Sequence, residues 1–179
     1  MANGRKFDRA ARDYSEALAE IAQVSSEEGG RVGALNALIR VALGQLFQDT
    51  GEWQKSLPEY TMAVGALSEL VRQGSDDIRT TLALALANRA VSYMALGELQ
   101  AASDDIDAAQ RIYDRARWEA SSRLAVWVAA NQTALVGLGS LLRREIVIGD
   151  RRSDVFQSWK QLSTRQGNYV LAPFVRATT

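Results

Sequence analysis

The stretch that decides the fold runs from Leu43 to Tyr60 and reads LGQLFQDTGEWQKSLPEY; Arg89 to Ile106, 46 residues later, reads RAVSYMALGELQAASDDI. Both stretches carry a small residue, an aromatic residue, a Gly-Glu turn and then a small and a large side chain at equivalent positions. A fixed interval with small and large residues in phase predicts stacked supersecondary units rather than one closed core. The positions in phase through three units are Phe7, Trp53 and Leu99; Ala10, Ser56 and Ala102; Tyr14, Tyr60 and Ile106; and Ala17, Ala63 and Ala109.

Apolar residues at steps of three and four, interrupted by glycine and polar turns, predict helices along the whole chain. We expect the Gly29-Gly30 pair to end the first helix and Ser75 to cap the fourth. Pro58 lies inside the third helix, where its missing N–H costs one backbone hydrogen bond. The predicted helices span 6–24, 32–48, 53–72, 76–96 and 98–117, with a sixth starting near Ser121 and a last one following Ser153.

The repeated motif resembles the tetratricopeptide repeat. Leu43-Gly44 with Phe47 matches the signature of that family's first helix, and Ser56 with Tyr60 matches the second. The period is longer than the family's usual length of about 34 residues, so the chain resembles the extended variety of the repeat, over about residues 5–118. The chain opens on a second helix without its first, which indicates either a fragment of a longer array or an unusual cap.

The resemblance implies an all-α fold, a right-handed superhelical stack of helical hairpins (a TPR-like α-solenoid) with about seven helices. Residues 1–150 would form the repeat domain, and residues 151–179 a capping helix and an apolar tail. Gly44 and Ala90 must be small because the two helices of a hairpin cross there, and we expect Tyr14, Tyr60 and Tyr93 to fill gaps between adjacent hairpins. A generic helical bundle is the alternative, but it does not readily explain residues that recur in phase.

Composition argues against an enzyme. The 179 residues include no cysteine and no histidine, which removes thiol nucleophiles, histidine bases and nearly every zinc site. The acidic clusters at 76–77 and 104–107 lie near predicted helix starts and lack the spacing of a calcium loop. We therefore predict no catalytic residue, no cofactor and no metal. An enzymatic hypothesis would depend on Glu145, Asp150 or Asp154 facing an arginine.

The charge pattern and hydropathy also limit the partners. The arginine pairs at 143–144 and 151–152 lack interleaved aromatic residues, and the net charge is zero, so no nucleic-acid partner is predicted. No segment reaches the ~18–20 consecutive apolar residues of a membrane span. The polar stretch from Met1 to Ala11 does not have the pattern of a signal peptide. We expect a cytoplasmic protein that does not contact membranes.

In the tetratricopeptide family the first helices of successive units line a concave groove that binds peptides or helices. The resemblance implies a non-enzymatic scaffold or adaptor that binds a peptide or amphipathic helix of another protein in an apolar groove. A chaperone-type carboxylate clamp is not expected, because Val41 and Gln45 stand where lysine and asparagine are needed, and only Asn88 fits. The groove residues implied are Leu38, Val41, Gln45, Gln48, Leu84, Ala87, Asn88, Val91, Met94, Ala130 and Ala134.

Self-association is the alternative function. Residues 1–142 carry 14 basic and 18 acidic side chains (net −4), whereas residues 143–179 carry 7 basic and 3 acidic (net +4). A basic tail with the apolar stretch from Tyr169 to Val175 could dock on the acidic body of the same chain or of a neighbour. This hypothesis predicts a homo-oligomer built through the C-terminal helix and tail.

Overall fold

The chain is all-helical over the residues that can be described. The computed structural model describes residues 2–23, 29–75 and 78–116, which form five α-helices and no strand. The sixth and seventh predicted helices and the predicted domain boundary at residue 150 lie outside these ranges. The chain divides into two compact units, residues 1–85 and 86–179. The helices are α1 (Ala2–Ile21), α2 (Gly29–Asp49), α3 (Trp53–Arg72), α4 (Arg79–Leu96) and α5 (Leu99–Ala116).

Each unit contains a helical hairpin with a short turn. In the first unit α2 packs against α3 to form the first hairpin, and α1 packs against α2. In the second unit the part of α4 from Leu86 onward and α5 form the second hairpin, joined by an ion pair between Arg89 and Asp105. The order of elements is therefore a lone helix followed by two hairpins.

The turns of the two hairpins have the same backbone structure. At the end of α2, the Glu52 N–H donates to the Phe47 carbonyl at 2.7 Å and the Gly51 N–H donates to the Gln48 carbonyl at 3.0 Å. The equivalent groups at the end of α4 make the same two bonds at 2.8 and 3.1 Å. Gly51 has φ +77° and Gly97 has φ +81°. This is the Schellman motif, whose left-handed residue favours glycine, so the 46-residue repeat extends to the backbone.

Two predicted helix ends are wrong, and both errors have a local cause. Gly29 and Gly30 were expected to end α1, but they form the first turn of α2. Ser75 was expected to cap α4, but its N–H donates to the Leu70 carbonyl at 3.0 Å, which completes the C-terminal turn of α3. α4 begins only at Arg79. Pro58 lies within α3, which is one continuous helix.

The first hairpin closes around one aromatic ring. A Cβ atom placed on Gly44 of α2 would lie 2.9 Å from Cζ of Tyr60 on α3, which confirms that Gly44 must be small. The Tyr60 hydroxyl donates to Oε1 of Gln48 at 3.1 Å. We expected Tyr60 between adjacent hairpins, whereas its ring fills the space that Gly44 leaves inside its own hairpin. Tyr14 and Tyr93 are half-buried.

The second hairpin meets the same packing requirement with different side chains. Ala90, Met94 and Ile106 occupy the positions equivalent to the glycine, glutamine and tyrosine of the first hairpin, and all three are buried. Relative to the first hairpin, alanine replaces glycine on the first helix and isoleucine replaces tyrosine on the second. The hydrogen-bonded glutamine and tyrosine of the first hairpin are replaced by two apolar residues, methionine and isoleucine. Close packing requires such compensation because interiors leave few voids.

Tyr113 makes the stability of the chain sensitive to alkaline pH. It lies on α5 with 1% of its surface exposed, and burial raises the pKa of its phenol above the ordinary value of about 10. Because the folded chain holds this proton more tightly than the unfolded chain, the stability it contributes is present below about pH 10 and is lost as the pH rises further. We expect Tyr113→Phe to flatten the fall in urea-unfolding midpoint above about pH 10. Equal slopes for Tyr113→Phe and the parent chain would contradict the prediction.

Candidate interaction surface

An ion pair between Arg40 of α2 and Glu59 of α3 fixes the first hairpin. Arg40 Nη1 lies 2.8 Å from Glu59 Oε2, and Arg40 Nε donates to Asn36 Oδ1 at 2.9 Å. About a fifth of each charged side chain is exposed (22% and 20%). The guanidinium therefore links a side chain of its own helix to the carboxylate of α3.

A tighter pair holds the second hairpin. Arg89 donates from Nε and Nη2 to the two carboxylate oxygens of Asp105, each at 2.8 Å. These hydrogen bonds raise the pKa of the Arg89 guanidinium, which also lies 5.7 Å from the ring centroid of Tyr93. The sequence placed Asp105 in a helix-start acidic cluster. The structure shows instead a carboxylate, 8% exposed, in a bidentate pair.

Two leucines on α2 form an exposed apolar pair. Leu35 is 49% exposed and Leu38 is 42% exposed, and their spacing of three residues places them on the same side of the helix. Leu38 was predicted as a groove residue, but Leu35 was missed, although its spacing from Leu38 was the available signal. The third large exposed apolar residue among those described is Met62 of α3.

The other predicted groove residues lie in less accessible places. Val41 and Gln45 are half-buried, and Gln45 donates to Asp49 Oδ1 at 2.9 Å. Gln48 is buried against Tyr60. The α4 residues of the predicted groove are also buried, so they do not offer an open lining. These are Leu84, Ala87, Asn88, Val91 and Met94, while Ala130 and Ala134 lie outside the described residues.

A shallow cleft of about 350 Å³ lies between α1, the end of α2 and the start of α3. Its apolar walls include Phe7 and Phe47, and Lys55 Nζ lies 5.6 Å from the ring centroid of Phe47. Lys55 also pairs with Glu52. Hydrogen bonds from Lys55 and Thr50 lower the pKa of the Glu52 carboxyl. Lys55 and Glu52 at this rim thus already bind one another.

Comparison with known proteins returns no match to a family model, a curated protein or a solved structure. Within residues 2–23, 29–75 and 78–116, no group of three or more acidic side chains is arranged to hold a metal ion. None of the helices α1 to α5 combines the length and apolarity that crossing a membrane requires. Function must therefore be inferred from the repeat geometry and the surface chemistry of the described helices.

Proposed function

We propose that the chain is a tetratricopeptide-like α-solenoid that binds another protein through α2 and catalyses no reaction. The observation that supports this best is the exposed pair Leu35 and Leu38. The positions equivalent to them on α4 are Thr81 and Leu84, and both are buried. The face that is exposed on α2 is therefore buried on α4.

The chemistry of this face indicates the kind of partner. Exposed leucines at i and i+3 match the helix-in-groove mode of recognition, in which an amphipathic helix lays its apolar side against a ridge or groove. Val41 and Gln45 lie further toward the C-terminus of α2, and both are half-buried. The partner is therefore an amphipathic helix with large aliphatic side chains, and the rest of the solenoid serves to hold α2 rigid.

We expect Leu38→Glu to weaken partner capture at least tenfold without changing the thermal unfolding of the chain. A charge at the centre of an apolar contact must be desolvated on binding, whereas a substitution at an exposed helix position changes stability by less than about 0.5 kcal/mol. The measurement is quantitative affinity capture from the cell of origin, with the tagged 179-residue chain as the bait.

Met62→Glu is the matched control, because Met62 is a comparably exposed apolar residue on the other helix of the same hairpin. Proteins that are retained by the parent chain and by Met62→Glu, but lost from Leu38→Glu, are the partners of this face. If both variants retain the same set of proteins in the same amounts, α2 is not the binding helix.

A further inference from the structure

The exposed face of α2 extends beyond its two leucines. A line of side chains at alternating steps of four and three residues, here called the α2 line, runs from the third residue of the helix to its last. This spacing keeps side chains on one side of a helix, as along the seam of a coiled coil. The line comprises Arg31, Leu35, Leu38, Ala42, Gln45 and Asp49. The first three and Asp49 are exposed, whereas Ala42 and Gln45 are half-buried.

The α2 line is turned away from the other helix of its hairpin. Leu38 and Arg40 are two residues apart, which places them about 200° from each other around a helix of about 3.6 residues per turn. Arg40 pairs with Glu59 of α3, so the line lies on the opposite side of α2. A further helix can therefore lie along it without displacing α3.

The chemistry of the α2 line is complementary about its midpoint, position 40. Residues equally far from this midpoint combine a positive with a negative charge at the ends, and a leucine with a small or polar side chain between them. When two copies of α2 lie antiparallel about a two-fold axis at this position, each residue therefore faces its complement on the other copy. The facing pairs are Arg31 with Asp49, Leu35 with Gln45, and Leu38 with Ala42.

The end charges select both the orientation and the partner. A parallel pair of α2 helices would place Arg31 against Arg31 and Asp49 against Asp49, and like charges in contact repel. The antiparallel pair instead brings Arg31 to Asp49 twice, once at each end of the leucines. A second copy of the chain is thus the occupant that this arrangement of charges matches.

Helix stability and the repeat do not explain these two charges. A basic residue near the start of a helix and an acidic residue at its end are both unfavourable to the helix dipole. Arg31 and Asp49 are the third and the last residue of α2. The positions equivalent to them 46 residues later are Asp77 and Ala95, so the second hairpin forms without this pair of charges. The pair is therefore a property of α2 that its own fold does not require.

We propose that α2 is a homodimer interface, in which it packs antiparallel on α2 of a second copy of the chain. The leucines lie at the centre, between two ion pairs of Arg31 with Asp49. This inference rests on the proposed role of α2 as the binding helix, and it identifies the partner helix. It differs from self-association through residues 151–179, because α2 supplies both halves of the contact.

Sedimentation equilibrium of the 179-residue chain, from about 1 µM to about 1 mM, should show the mean mass rising from that of one chain to that of two. Arg31→Glu and Asp49→Arg should each weaken association at least tenfold, because each makes both end contacts repulsive. An equimolar mixture of these two variants should associate as the parent chain does, since every facing pair then joins opposite charges. Leu38→Glu should also weaken association at least tenfold.

Arg9→Glu makes the same charge change at an exposed residue of α1, and it serves as a control together with Met62→Glu. Both should associate as the parent chain does. A chain that stays monomeric, or association that Arg31→Glu leaves unchanged, overturns the inference, and so does a mixture of the two charge variants that stays monomeric. A monomeric chain whose Leu38→Glu variant loses captured proteins, while Met62→Glu retains them, would uphold the proposed function and overturn only the identity of its partner.

Discussion

Gly44→Ala is expected to destabilise the parent chain by about 1–2 kcal/mol and to stabilise a Tyr60→Ile chain by about 0.5–1 kcal/mol. In the parent, the added methyl would lie 2.9 Å from Cζ of Tyr60. The ring cannot move freely because it is fully buried and its hydroxyl donates to Gln48. Overpacking then outweighs the gain from replacing a glycine within a helix.

The second hairpin explains why Gly44→Ala lowers the stability of the parent chain but raises that of the Tyr60→Ile chain. With isoleucine at position 60, the first hairpin carries the combination that Ala90 and Ile106 already use. The clash is then removed, and only the helix propensity of alanine over glycine, about 1 kcal/mol at most, remains. Tyr60→Ile alone should cost about 2–4 kcal/mol, because it removes ring volume and one buried hydrogen bond.

Chemical unfolding followed by circular dichroism measures the four free energies of unfolding in this double-mutant cycle. Gly65→Ala is the control, since a Cβ atom at Gly65 of α3 meets no atom within 4 Å. It should raise stability by a similar small amount in both backgrounds. An equal effect of Gly44→Ala in the two backgrounds would show that Gly44 and Tyr60 do not share the packing described here.

Arg89→Met is expected to destabilise the chain by about 2–3 kcal/mol, and Arg40→Met by about 1 kcal/mol. The difference follows from geometry. Arg89 makes two charge-assisted bonds to Asp105, which is 8% exposed, whereas Arg40 makes one bond to Glu59, which is 20% exposed. Removing Arg89 leaves a carboxylate with little access to water, which is the costly way to break a buried pair.

The double variant Arg89→Met with Asp105→Leu should recover most of this loss, because an apolar pair of similar volume leaves no unpaired charge in the buried site. Arg72→Met, which breaks the exposed pair of Arg72 with Glu69, should leave the unfolding midpoint unchanged. The same chemical unfolding measurements serve for all four variants. A double variant no more stable than Arg89→Met alone would rule out the buried pair as the cause of the loss.

The sequence was most informative where local chemistry and the repeat agree. The bounds of α3 were predicted without error because the Gly51 turn precedes Trp53 and the apolar spacing stops at Arg72. The start of α4 was missed because a serine between two helices can cap the next helix or complete the preceding one. Only the bond from the Ser75 N–H to the Leu70 carbonyl decides between these.

The surface was harder to predict than the helices. Phase alone identifies which side of α2 and α4 carries Leu38 and Leu84, but it cannot tell that the first is exposed and the second buried. The acidic positions Asp13, Glu59 and Asp105 were visible at the repeat interval. Their pairing was not, because Arg40 and Arg89 are 49 residues apart and so differ from the period by three residues.

The glycine turns that end α2 and α4 also set how a chain of this kind can lengthen. Because Gly51 and Gly97 use the same pair of backbone bonds one interval apart, duplicating 46 residues reproduces a hairpin together with both backbone bonds of its turn. An insertion between Phe47 and Glu52 would separate the left-handed glycine from the carbonyls that its turn requires. Lengthening by whole intervals thus preserves these turns, whereas an addition that begins inside a turn is penalised at the backbone.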